Sequence, residues 1–157
     1  KTIGHLEQSI FARNILSEKK GPPPEVNLFN EKNNGLTTLK LINEKLIESC
    51  HDVSLGGIMV AISKMCLKGK KGIKINQLKG LINKFEYFFG EDQARYLVEI
   101  QKENLPKVDK ILKENSVHYD ELGTVIDENI EFSDEIKLSI DDLEKTYKSW
   151  LRKYMIN

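Results

Sequence analysis

The chain lacks the features that mark a secreted, membrane or nucleic-acid-binding protein. It has 24 Lys and Arg against 24 Asp and Glu, so no net charge attracts a nucleic-acid backbone or an anionic membrane. No segment approaches the roughly 20 apolar residues that span a bilayer, and the chain begins with neither Met nor a signal peptide. We therefore expect a cytoplasmic protein without nucleic-acid or membrane partners, cut from a longer chain.

Cysteine is scarce as well. Cys50 and Cys66 are the only two, and they have neither CxxC spacing nor paired histidines nearby. This pattern argues against a zinc site or a disulfide framework. The sequence also has no P-loop, no GxSxG nucleophile elbow and no HExxH zinc helix, so we predict no metal site and assign no catalytic residue.

What the chain does have is an alternation of helical and extended segments. Apolar residues recur at the spacing of an α-helix in five segments. These are 5–16, 26–47, 57–67, 105–115 and 139–151. Alternating or β-branched residues predict strands elsewhere. These are 49–53, 72–76, 94–100, 117–126 and 136–138.

This order predicts one domain of α+β or mixed α/β class with a mixed sheet. Residues 94–100 have the highest β-propensity and are expected at the centre of the sheet, and 127–129 are expected to form a hairpin turn. The last helix is expected to bury one apolar face. That face consists of Leu143, Tyr147, Trp150 and Leu151.

The densest polar motif is HDVSLGG at 51–57, which leaves a strand and opens a helix. Gly56 and Gly57 would let a ligand approach the backbone, and amide hydrogens at a helix start favour phosphate. Asp52 and Ser54 are the polar side chains of this corner. The alternative is that they only cap the helix.

Two further segments carry polar groups. In GEDQAR at 90–95, Glu91 and Asp92 are suited to order a cation or a hydroxyl-rich substrate, while Arg95 pairs with phosphate or only neutralises Glu91. In GHLEQS at 4–9, His5 is a candidate proton carrier and Ser9 a phosphate ligand, or the segment is only an N-terminal cap.

Together these segments resemble one family in order and spacing, over nearly the whole chain. It is the C-terminal domain of the large synthetase subunit of phosphoribosylformylglycinamidine synthase, in the AIR synthase-related superfamily. The matching motifs are GHLEQSIFARNIL (4–16), GPPPEVNL (21–28), SCHDVSLGGIMVAISKMCL (49–67), FFGEDQARYLVEI (88–100), ELGTV (121–125) and SIDDLEKTYKSWL (139–151). The family often has two glycines where this chain has Glu7 and Gln8.

The resemblance implies a layered α/β/α domain with partial ferredoxin-like topology over 1–157, and a reaction that converts formylglycinamide ribonucleotide to its amidine with ATP and glutamine. It places ATP and Mg²⁺ mainly on an N-terminal domain absent from these residues, so the isolated domain is expected to bind no cofactor and to be inactive. The implied partners are that N-terminal domain, a glutaminase subunit, a small accessory subunit and the ribonucleotide. The residues expected to bind substrate are Asp52, Ser54, Gly56, Gly57, Glu91 and Arg95.

Two alternatives stay open. In the first, the domain is a scaffold that packs against the rest of the synthase without touching substrate, because one fold hosts unrelated functions. In the second, it belongs to another enzyme of the superfamily, such as a kinase or a selenophosphate synthetase.

Overall fold

The structure is a computed structural model that describes residues 2–77, 83–133 and 136–156. Helices and strands alternate along these residues, so the predicted α+β class is confirmed. The helices are α1 (Ile10–Asn14), α2 (Leu28–Asn43), α3 (Gly57–Gly69), α4 (Lys84–Phe89), a 3-10 turn (Lys102–Asn104), α5 (Leu105–Glu114) and α6 (Ile140–Ile156). The strands are β1 (Ser49–Asp52), β2 (Gly72–Ile75), β3 (Tyr96–Glu99), β4 (Gly123–Ile126), β5 (Asn129–Phe132) and β6 (Ile136–Ser139).

The chain divides into two compact units, of which the first comprises Lys1–Ile62 and Gly80–Asp120. Its sheet has two antiparallel strands, β1 and β3, in the register Ser49↔Glu99 to Asp52↔Tyr96. The prediction that 94–100 forms the centre of the sheet is therefore wrong, because β3 pairs with β1 alone among the described strands. Two helices supply most of the main core cluster of this unit. The cluster consists of Leu41 of α2, Leu46 just after that helix, and Val108, Ile111 and Leu112 of α5.

Local sequence explains the two helices that build this core. Asn27 accepts a hydrogen bond from the amide of Asn30 at 2.9 Å and so caps α2. Pro106 lies in the first turn of α5, where its missing N–H leaves no intrahelical bond unmade. Both helices were predicted from their apolar spacing, and both predictions are confirmed.

The second unit comprises Ser63–Lys79 and Glu121–Asn157. It holds a four-stranded sheet in the order β4-β2-β5-β6, in which β2 and β5 are parallel and the other pairs antiparallel. Ile75 and Ile130 are buried in its two central strands. This sheet is mixed, as predicted.

The predicted hairpin at 127–129 is wrong. Strand β2 lies between β4 and β5, so the two strands that follow each other in sequence do not pair. The chain passes from one side of β2 to the other at Gly72, where an added Cβ would collide with the backbone of Asn129. A glycine at the start of β2 therefore permits this crossing.

Two predicted elements are shorter than expected. The helix predicted over 5–16 begins only at Ile10, because Gln8 has a φ of 61° and Ser9 is an extended N-cap whose hydroxyl accepts from Ala12. The strand predicted over 117–126 is confined to β4, since β2 offers only four residues to pair with.

The apolar face predicted for α6 is not buried. Tyr147, Trp150 and Leu151 are exposed, and Leu143 is half-buried. The 17-residue helix is about 25 Å long, whereas strands of four residues span about 13 Å. The sheet of this unit is therefore too short to cover the second half of α6. None of the helices within the described residues is both long and apolar enough to cross a membrane.

Replacing Leu41 with Ala tests the first unit's core. Leu41 is 2% exposed, so Leu41→Ala should lower the free energy of unfolding by about 2–5 kcal/mol through lost burial and the cavity left behind. The matched control is Leu39→Ala on the same helix, where the side chain is 50% exposed and a change of about 0.5 kcal/mol is expected. Urea unfolding monitored by circular dichroism measures both, and equal effects would contradict this description of the core.

Candidate functional site

The pairing of β1 with β3 brings together the polar segments 51–57 and 90–95. The antiparallel register places Asp52 opposite Tyr96, and the amide of Val53 donates to the carbonyl of Arg95 at 2.8 Å. The third polar segment joins them, since the amide of Glu91 donates to the carbonyl of His5 at 2.8 Å. All three predicted segments therefore meet within the first unit.

Glu91 links the segment 51–57 to the start of α1 through one carboxylate oxygen. Its Oε1 accepts a hydrogen bond from the amide of Gly56 at 2.8 Å and another from the amide of Ile10 at 2.8 Å. Ile10 is the first residue of α1, and Gly56 directly precedes α3. The carboxylate thus satisfies amides that would have no partner inside either helix.

Asp92 binds the third segment. Its carboxylate accepts from three successive amides, those of Ile3 at 2.9 Å, Gly4 at 3.0 Å and His5 at 2.9 Å. Burial favours the neutral acid, but the three amides and the nearby guanidinium of Arg95 outweigh it and hold the pKa of Asp92 below its ordinary value. Asp92 is therefore an ionised, buried anchor for the segment 3–5.

Arg95 lies next to this anchor, with 9% of its side chain exposed. Its guanidinium donates to the carbonyl of Gly90 at 2.6 Å and to the carbonyl of Asp92 at 3.1 Å. It also lies 3.6 Å from the Asp92 carboxylate and 3.4 Å from the hydroxyl of Thr2. Burial lowers the pKa of Arg95, while the neighbouring Asp92 opposes that change. Most of its donors are therefore directed at the protein itself.

The glycine corner is tightly packed. Gly56 and Gly57 have φ angles of 84° and 68°, in the left-handed region. A Cβ added to Gly57 would lie 2.6 Å from the carbonyl oxygen of Phe88 and 2.7 Å from that of Gly90. The amide of Gly57 donates to the carbonyl of Ser54 at 3.0 Å, and that of Gly56 donates to Glu91. Both amides expected to face a phosphate already have acceptors within the chain.

Asp52 and Ser54 are the exposed polar side chains of this corner. Asp52 is the last residue of β1, and Ser54 follows it after the buried Val53. His51 is half-buried, and its Nδ1 lies 3.6 Å from the Asp52 carboxylate. Among the predicted contacts, these two side chains are the ones that a ligand can reach directly.

The segment 5–9 is held in place by its own side chains. Gln8 donates to the carbonyls of Lys19 and Gly21 at 3.2 and 3.1 Å and accepts from Arg13 at 2.9 Å. The ring of His5 contacts the carbonyl of Pro22 at 3.1 Å. These bonds tie the segment to the connector that follows α1.

The sequence identified the segments of the site but not the roles of their residues. Ser9 is fully buried and caps α1 rather than facing a ligand. Asp92 makes three bonds to backbone amides, whereas the sequence suggests for it only the ordering of a cation or a hydroxyl-rich substrate. The one sequence signal for an anchoring role is Arg95, three residues later. Within the described part of the chain, no three His, Cys, Asp or Glu side chains form a metal-binding group.

Asp92→Asn should make stability less dependent on pH. The folded-state pKa of Asp92 is lowered, so its stabilisation is present above the unfolded pKa of about 3.9 and is lost as the pH falls through the folded value. At neutral pH the variant should lose about 2 kcal/mol, the scale of hydrogen bonds to a charged acceptor. The difference between the unfolding free energies of the two proteins should stay constant from pH 7 to about pH 4 and shrink as the pH falls further to pH 3. Exposed Asp120→Asn is the control, and a constant difference across this range would contradict the prediction.

Gly57→Ala should destabilise the chain strongly. The added methyl meets two carbonyl oxygens and the φ angle is left-handed, so we expect a loss of about 3 kcal/mol or more. Gly69→Ala at the other end of α3 is the matched control, because no described atom lies within 4 Å of its added Cβ. Thermal unfolding should separate the two variants clearly, and similar melting temperatures would refute the packing described for this corner.

Curated proteins with similar sequences are subunits of one enzyme. The PurL subunit of phosphoribosylformylglycinamidine synthase from Pelagibacter ubique is 62% identical over 157 residues, which is 100% of this chain and 22% of that protein. PurL from Bartonella bacilliformis is 38% identical over 153 residues, covering 98% of this chain and 21% of the relative. The chain therefore spans about a fifth of the length of these relatives.

Solved structures of Thermotoga maritima PurL share the fold. The form complexed with FGAR has a TM-score of 0.69 and 21% identity over 85% of this chain and 24% of that chain. The form complexed with ATP has a TM-score of 0.62 and 20% identity over 71% of this chain and 21% of its own. The PurLQS structure has a TM-score of 0.64 and 21% identity over 84% of this chain and 24% of its own.

The comparison with protein families agrees with the fold and with the order of the motifs. The family described as AIR synthase related protein, C-terminal domain, matches residues 5–134. These residues include the polar segments 51–57 and 90–95 and all of the segment 4–9 except Gly4. The chain belongs to the family of AIR synthase related C-terminal domains.

Proposed function

We propose that the chain is the substrate-side domain of a phosphoribosylformylglycinamidine synthase, an ATP-dependent ligase of purine biosynthesis. In this reaction ATP phosphorylates the formamide oxygen of formylglycinamide ribonucleotide. Ammonia released from glutamine then displaces the phosphate and gives the amidine. The observation that carries the proposal is the 62% identity to PurL over all 157 residues.

In this proposal, ATP and Mg²⁺ bind to an N-terminal domain of the same longer chain. The described residues offer no group of three metal ligands, and the Gly56 and Gly57 amides that could cradle a phosphate chain already have acceptors. This domain then forms one wall of a cleft that closes between two domains and shields the phosphorylated intermediate from water. The isolated chain lacks the ATP-binding wall and is therefore inactive.

Ser54 and Asp52 are the residues proposed to contact the ribonucleotide. The Ser54 hydroxyl can donate to a phosphate oxygen, and the Asp52 carboxylate can accept from a ribose hydroxyl. Gly56 and Gly57 bring the backbone close to the ligand. Glu91 and Arg95 bind the chain's own backbone, and direct contact of either residue with substrate stays a prediction.

The proposed enzyme works in the cytosol with a glutaminase subunit and a small accessory subunit. The solved PurLQS structure supports additional subunits beside PurL. Because the chain spans about a fifth of its relatives, other parts of the longer protein provide further surface for these partners.

A scaffolding role is the second candidate, and one observation favours it. Gly56, Glu91 and Arg95 all direct their polar groups at the protein's own backbone or side chains. A domain that only packed against the rest of the synthase would show the same bonds. The two candidates differ in whether Ser54 and Asp52 affect substrate affinity.

Ser54→Ala and Asp52→Asn in the full-length enzyme test the proposal. Each change should raise the KM for formylglycinamide ribonucleotide about tenfold, the equivalent of about 1.4 kcal/mol for a lost hydrogen bond. Steady-state amidine formation measures this effect. Gly57→Asp would be uninformative, because its side chain would collide with the backbone at 88–90.

Exposed Asp120→Asn is the matched control, and the 157-residue chain alone is the negative control. An unchanged KM in both site variants would support the scaffolding role. Turnover of a different ribonucleotide, with none of the expected one, would favour another enzyme of the superfamily.

A further inference from the structure

We propose that Glu91 and Asp92 are positioning residues that fix the substrate-binding segments through their backbone amides. This inference rests on the proposed function. It gives the pair a role that differs from direct contact with the ribonucleotide. The structural basis is that two adjacent carboxylates accept five amide hydrogen bonds from two separate segments, 3–10 and 56.

Glu91 fixes the turn that carries Ser54. Its Oε1 receives the amides of Gly56 and Ile10, both at 2.8 Å. Gly57 then closes the turn onto the carbonyl of Ser54 at 3.0 Å. Ser54 therefore lies two residues before an amide, that of Gly56, whose position is fixed by a single carboxylate oxygen of Glu91.

Asp92 fixes the segment that adjoins this turn. It receives the amides of Ile3, Gly4 and His5, and the left-handed φ of 88° at Gly4 lets consecutive amides converge on one carboxylate. Arg95 contacts the same carboxylate and the carbonyl of Gly90. The Asp92 carboxylate is thus bound by backbone amides and by Arg95 without a ligand.

The charge of Glu91 argues against direct contact with the substrate phosphate. An anion close to phosphate is repulsive, and this carboxylate occupies the Gly56 amide that a phosphate would otherwise use. A glutamine at this position keeps an oxygen that can accept from both amides. An aspartate keeps the charge but is one methylene too short to reach them. Geometry and charge can therefore be separated by substitution.

Four variants of the full-length enzyme test the inference: Glu91→Gln, Glu91→Asp, Glu91→Ala and, as the matched control, exposed Glu25→Gln. Positioning predicts that Glu91→Asp and Glu91→Ala raise the KM for formylglycinamide ribonucleotide about tenfold or more while kcat falls less than about threefold. Glu91→Gln should recover most of the loss seen in Glu91→Asp, whereas the control Glu25→Gln should stay within about threefold of the wild type in both constants. A loss of folded enzyme would instead lower the apparent kcat and leave KM unchanged.

Hydrogen exchange measured by mass spectrometry provides a readout that does not need activity. In Glu91→Asp and Glu91→Ala, peptides that cover 3–12 and 53–60 should exchange faster, while the peptide over α5 should be unchanged. If the wild type forms no amidine, the proposed function fails, and exchange alone decides the positioning role. Unchanged exchange at both segments would overturn it, as would a Glu91→Gln variant as impaired as Glu91→Asp.

Discussion

Hydrogen bonds from backbone amides to two adjacent carboxylates are the interaction on which this site depends. Four of the five amides lie outside helices and strands, and the fifth, that of Ile10, is at the start of α1, so no regular ladder satisfies any of them. A buried amide without a partner costs about 1–3 kcal/mol. Glu91 and Asp92 remove that cost for both segments at once. The short β1–β3 pairing only brings the segments near each other, and the carboxylates determine their conformation.

The same arrangement limits what the site can bind. Each carboxylate that holds a loop adds negative charge beside the place where an anionic ribonucleotide is proposed to lie. Arg95 offsets part of this charge, but its guanidinium is directed at Gly90 and Asp92. Under the proposed function, a substrate phosphate therefore fits best at the exposed Ser54 hydroxyl, and ribose hydroxyls fit best at the Asp52 carboxylate. Glu91, Asp92 and Arg95 thus bind the chain's own backbone, whereas the side chains of Asp52 and Ser54 are exposed.

The sequence predicted those parts of the fold that depend on local spacing. The helices near 26–47 and 105–115 and the strand at 72–76 follow from apolar periodicity, and each is confirmed within a few residues. The hairpin at 127–129 was wrong because a distant strand, β2, lies between its neighbours. The polar segments could be named from the sequence. Which backbone amides Glu91 and Asp92 would bind could not, since adjacent carboxylates look equivalent until their partners, up to 89 positions away, are known.

Gln8 shows how side-chain bonds can accompany an unfavourable backbone angle. It has a φ of 61°, and a side chain in that conformation costs about 1 kcal/mol or more. Its amide group bonds the carbonyls of Lys19 and Gly21 and the guanidinium of Arg13, and these bonds can offset the strain. A glycine here would relieve the backbone but release the connector. In this chain, side-chain hydrogen bonds as well as backbone angles therefore fix the shape of the loop beside the site.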